Sequence, residues 1–188
     1  PFFSEIYANW DEQDPSIETD DQLLGFGIEL INPYPDMLDM EGWKLVIGDA
    51  SPPREFVFPA AMQWDVPGYD SQFNRLGRAV YRSSHATVPL NTLAGVLISP
   101  AIPQLSADVR QLYYQAGGSV EIKLMRPAPV NSGVSYICVD RIEDTTVRSV
   151  LNQTPDGPWI CARDDENWKF VFSEYASAHP AGAFYQMG

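Results

Sequence analysis

The chain is 188 residues long, enough for one domain with a substantial core and too short for two full ones. Its net charge of −13, from 25 acidic against 12 scattered basic residues, argues against nucleic acid, whose phosphate backbone needs clustered Lys and Arg. Hydrophobic residues make up 45%, yet no apolar run reaches the length that spans a bilayer, so no membrane contact is expected within this segment.

The 16 prolines and 13 glycines interrupt nearly every segment, which favours short strands over long helices. The first predicted strand covers 3–8. An acidic connection over 10–21 follows, carrying Asp11, Asp14, Asp20 and Asp21. These charges cannot be buried unpaired, so the segment runs over the surface. Hard carboxylate oxygens suit calcium, although the spacing is not that of an EF-hand and a solvated acidic loop is the commoner arrangement. Asp164, Asp165 and Glu166 form a second acidic group.

The strand over 26–32 alternates, with Phe26, Ile28 and Leu30 on one face and Gly27, Glu29 and Ile31 on the other. Asn32-Pro33 ends it in a turn, because Asn bonds its own backbone and Pro cannot donate to a ladder. Gly42 is expected at positive φ before Trp43, and Ile28, Leu30, Leu38 and Trp43 are the expected core residues. Strands over 44–47 and 55–58 follow.

The stretch 60–93 reads as an irregular insertion, and a connection of that length is often functional. Its rings Trp64, Tyr69, Phe73 and Tyr81 would either stack on a sugar or anchor a protein partner, or else pin the loop onto the fold. Ser83-Ser84-His85 lies in the same stretch, but adjacent residues do not make a nucleophile and base, and no Gly-x-Ser-x-Gly elbow is present. His179 is the other histidine. Acidic pairs are too many to select a glycosidase pair. No catalytic residue is assigned, and a non-catalytic chain is expected.

Further strands are predicted over 95–99, 109–114, 120–125, 136–141 and 169–172, with Val120, Ile122 and Leu124 opposing Glu121 and Lys123. Each has one apolar face, so two sheets must pack together, and the fold class is all-β, a two-sheet β-sandwich with long irregular loops. Cys138 and Cys161 allow one disulfide or two buried free thiols.

The ordered pieces Ser4-Glu5-Ile6-Tyr7-Ala8-Asn9, Ile28-Glu29-Leu30-Ile31-Asn32-Pro33, the run from Leu38 through Gly42-Trp43 to Leu45, Phe56-Val57-Phe58-Pro59, Gly118-Ser119-Val120-Glu121-Ile122 and Val139-Asp140-Arg141-Ile142 together resemble the bacterial lamin-tail domain family. Ala162-Arg163-Asp164-Asp165, Trp168 and His179-Pro180-Ala181-Gly182-Ala183 resemble its closing segment. The long stretch 60–93 and the acidic connection depart from the family pattern. The resemblance implies a single immunoglobulin-like domain over 1–188, without shared catalytic apparatus. It also implies a structural or protein-binding module, with protein contact or self-assembly as its work. A carbohydrate-binding accessory domain and the head of a pilus- or filament-like subunit are the alternatives. Low Lys and Arg with high Asp, Pro, Tyr and Trp fit an exported, extracellular or cell-envelope protein. Pro1 without a charged-then-apolar leader reads as a piece of something longer.

Overall fold

The computed structural model describes residues 1–11, 22–68, 77–83, 96–151 and 160–161. The elements are β1 (Phe2–Asp11), β2 (Gln22–Asn32), β3 (Lys44–Ile47), β4 (Arg54–Val57), a 3-10 turn (Met62–Trp64), β5 (Gly77–Arg82), β6 (Val96–Ile98), α1 (Leu105–Tyr114), β7 (Ile122–Pro127), β8 (Tyr136–Ile142), α2 (Asp144–Leu151) and β9 (Ile160–Cys161). The described structure is mostly β. Among the described residues no helix is long and apolar enough to cross a membrane.

Two sheets form, one in the order β6-β5-β2-β1-β9 and the other in the order β4-β3-β7-β8. Neighbours pair antiparallel except β5 with β6, which are parallel. One buried apolar cluster takes residues from both sheets: Phe3, Ile6, Phe26, Ile28 and Leu30 from the first, Leu45, Ile47, Ile122, Leu124 and Ile142 from the second. The alternation read along 26–32 therefore holds, with Phe26, Ile28 and Leu30 fully buried.

Phe3 and Ile6 both reach this core although they are three residues apart, an odd spacing for a strand of period two. A register shift explains it: Phe3 pairs with Leu30 and Glu5 with Glu29, leaving Ser4 as the extra residue of a bulge.

The turn after β2 forms as its residues dictate. Asn32 Oδ1 accepts the Tyr34 N–H at 3.0 Å, and its Nδ2 donates to the Asp36 carbonyl at 2.8 Å. Gly42 adopts φ 75°. Trp43 and Leu38, however, are only half-buried against the cluster, and Met40 between them is fully buried. The turn residues place Met40 inward and leave Leu38 and Trp43 at the margin of the core.

Two expectations change, and one helix was not expected. The segment read as a strand over 109–114 is helical, because Leu105, Val109 and Leu112 recur at helical spacing and are all buried. The helix ends where the Gln115 N–H returns to the Gln111 carbonyl and Gly117 turns at φ 72°. A second helix over 144–151 buries Val147, Val150 and Leu151, and its β-branched residues hid it from propensity. The stretch 60–93 is not irregular throughout, since β5 lies inside it and pairs with the central strand β2. The expected strand over 169–172 lies outside the described residues.

Candidate functional site

The segment after β4 returns across the fold and is held by a two-way bridge between Leu38 and Val66, with N–H to carbonyl distances of 2.9 and 3.1 Å. Between these residues sits the 3-10 turn, and beneath it an aromatic group. Trp64 and Tyr81 lie parallel, 2° apart with centroids 6.4 Å apart, and Phe58 meets the Tyr81 ring edge-on at 4.9 Å. Phe56 contacts both Phe58 and Trp64. The Tyr81 hydroxyl donates to the Trp64 carbonyl at 2.5 Å. Burial holds that phenol well above its ordinary pKa, and the nearby Asp65 carboxylate acts in the same direction.

Trp64 is 6% exposed and Tyr81 0%, so neither presents a free ring to a sugar or a partner. Of the two arrangements open to these rings, they take the one that pins the segment to the core. Tyr69 and Phe73 lie outside the described residues.

Above this group opens a cleft of about 240 Å³ lined by Asp39, Glu41, Ala60, Ala61, Met62 and Asp65. The carboxylates also shape the backbone around it. Asp65 Oδ1 accepts the Met40 N–H at 3.1 Å, and Asp39 Oδ1 accepts the Glu41 N–H at 2.8 Å. Met62 stands 71% exposed at the rim. The cleft thus sets one apolar thioether among three carboxylates.

A second polar group lies on the face of the five-stranded sheet turned away from the core. Glu5 on β1 and Glu29 on β2 are direct cross-strand partners. The Ser4 hydroxyl, placed by the bulge, lies 2.8 Å from Glu29 Oε1, and Arg78 Nη1 on β5 lies 3.4 Å from Glu29 Oε2. All four residues are buried. Tyr7, Ile31 and Val80 share that face and are buried too.

Of the two arrangements open to the cysteines, a disulfide or two buried free thiols, Cys138 shows a thiol that is free but not buried. Cys138 is a free, exposed thiol on β8, an edge strand of the four-stranded sheet, whereas Cys161 belongs to β9 at the edge of the other sheet. The Cys138 thiol lies 3.5 Å from the Asp140 carbonyl oxygen, and its pKa is raised, first by partial burial. Of the calcium candidates, Asp14, Asp20 and Asp21 lie outside the described residues, as does the Asp11 side chain; the backbone at Trp10 and Asp11 belongs to β1, not to the connection expected there. Among the described residues no group of three or more His, Cys, Asp or Glu is arranged to hold a metal ion. His85 and His179 also lie outside them.

Sequence reading missed the Glu5–Glu29–Arg78 group and the cleft. The available signal was Glu29 at a strand position whose neighbour on the same face, Ile31, is apolar. It marks a buried acid only if that face is covered. Comparison of the chain with protein-family models and with curated proteins finds no match.

Proposed function

We propose that the chain is a non-catalytic structural or protein-binding module, a two-sheet sandwich of immunoglobulin-like, lamin-tail type from an exported or cell-envelope protein. The observation that carries this reading is the apolar cluster built from both sheets, with the Glu29 carboxylate and the Tyr81 hydroxyl engaged in internal contacts. The lamin-tail element rests on the resemblance of the ordered pieces. The Asn32 turn and the positive φ of Gly42 before β3 support it.

Protein contact is put before sugar binding on the resemblance of the ordered pieces; Trp64 and Tyr81, two of the four candidate rings, are buried and serve neither. Met62, exposed at the rim of the cleft beside Asp39 and Glu41, is the side chain through which that contact is proposed. The test pairs a sedimentation-velocity series over concentration with a glycan array, both on the whole chain. Self-association weakened by Met62→Glu supports the module reading. Saturable binding of a glycan by the folded chain would overturn it in favour of a carbohydrate-binding domain.

A further inference from the structure

Glu5 and Glu29 face each other across β1 and β2 with 4% and 2% of their surface exposed. Two carboxylates directly opposite one another repel when both are charged, and burial removes the water that would weaken the repulsion. Their surroundings are unequal. Glu29 has the Ser4 hydroxyl near one oxygen and the Arg78 guanidinium near the other, whereas Glu5 Oε1 has no hydrogen-bond partner among the described residues. Among the described residues, Arg78 is the cation that acts on these two carboxylates. Full ionisation would leave a buried negative charge uncompensated, and a single proton removes it.

We propose that Glu5 and Glu29 hold one proton between them, seated chiefly on Glu5, and that its loss in alkaline solution loosens β1 from β2, making the group a proton-dependent latch on the five-stranded sheet. The charged groups acting on Glu5 are Glu29 from β2 and Arg78 from β5. Tyr7 on β1 and Arg82 on β5 stand further along the same face, and on the other side β9 places Cys161 opposite Glu5 in register. Burial pushes the Glu5 carboxyl up to about 9, Glu29 adds to the rise, and Arg78 opposes it. Glu29 is raised as well, first by burial, while Arg78 and Ser4 pull it back toward the charged form. The proton therefore belongs to the pair, and the hydrogen bonds decide where it sits.

The sign follows from the raised value. Below the ordinary value of 4.5 Glu5 is protonated whether the chain is folded or not. Above it the unfolded chain loses that proton while the folded chain keeps it, so the group's contribution to stability declines as pH rises toward about 9 and then levels off. At that upper end the folded chain must itself release the proton, and the latch opens.

The test is a carboxyl-carbon NMR titration of the whole chain, joined to urea midpoints of the wild type and Glu5→Gln at about pH 6 and about pH 9. One glutamate resonance should titrate ~3 or more pH units above the ordinary value. The wild-type urea midpoint should fall across this range by clearly more than that of Glu5→Gln, whose neutral amide keeps the uncharged form. Ordinary midpoints for both Glu5 and Glu29 would overturn the proposal, as would an equal fall in the variant. Should Glu5→Gln not fold, the wild-type titration decides alone.

Discussion

The main-chain N–H of Phe3 donates to the Asp140 carboxylate at 2.8 Å, joining β1 of one sheet to β8 of the other. Both residues are buried, and 137 positions of chain separate them. The bond ties an inner strand of the five-stranded sheet to the edge strand β8 of the other sheet. Asp140→Ala strands a buried donor and should cost about 1–3 kcal/mol in a urea titration. Asp140→Asn keeps an acceptor oxygen and should cost less; equal losses would show that the contact is not made through that oxygen.

Trp64 and Tyr81 act as packing residues, so their substitutions should register as stability. Trp64→Ala removes a ring from the aromatic group and should destabilise by about 3–5 kcal/mol, read from a thermal melt. Tyr81→Phe keeps the ring and deletes only the bond to the Trp64 carbonyl, at about 1–2 kcal/mol. An unchanged melt for Trp64→Ala would sink the packing role.

Arg148 anchors α2. Its Nε donates to Asp144 Oδ2 at 2.9 Å and its Nη2 to the Gly118 carbonyl at 2.5 Å, while Asp144 Oδ1 accepts the Val120 N–H at 2.7 Å. The ion pair is half-exposed and worth little by itself. The planar fork, which reaches a carboxylate and a carbonyl together, is what lysine cannot copy. Arg148→Lys should therefore lose most of the stability lost by Arg148→Ala, about 1–2 kcal/mol, in paired thermal melts.

Cys138 should be alkylated in the native protein without denaturant, and a peptide map under non-reducing conditions should recover it unbridged. Its raised pKa leaves less thiolate at neutral pH, so the reaction should run slower than with a free cysteine. A recovered Cys138–Cys161 peptide would refute the free thiol.

Much of the first half of the fold was legible. Phe26, Ile28 and Leu30 announce a strand, Asn32 its end, and Gly42 the turn into β3, because each depends on local chemistry. β5 was not legible. It is buried on both faces, with Ala79 and Tyr81 toward the core and Arg78 and Val80 away from it, and a buried arginine reads from sequence as a surface residue. α1 was hidden by starting the segment at Val109, which left out Leu105 and with it the helical period. The site was least legible of all. Glu5 meets Glu29 only in the register set by the bulge at Ser4, and that depends on two strands together.

That bulge sets the reading frame of β1. Residues before Ser4 and residues after it present opposite parities to the core, so Phe3 and Ile6 point inward while Glu5 points away. Deleting Ser4 would remove one count, and the strand would have to choose between its halves. Either the phenylalanine leaves the interior or the glutamate enters it. A one-residue deletion here should be far less tolerable than any single substitution at Ser4, because it changes the side on which one part of the strand is read.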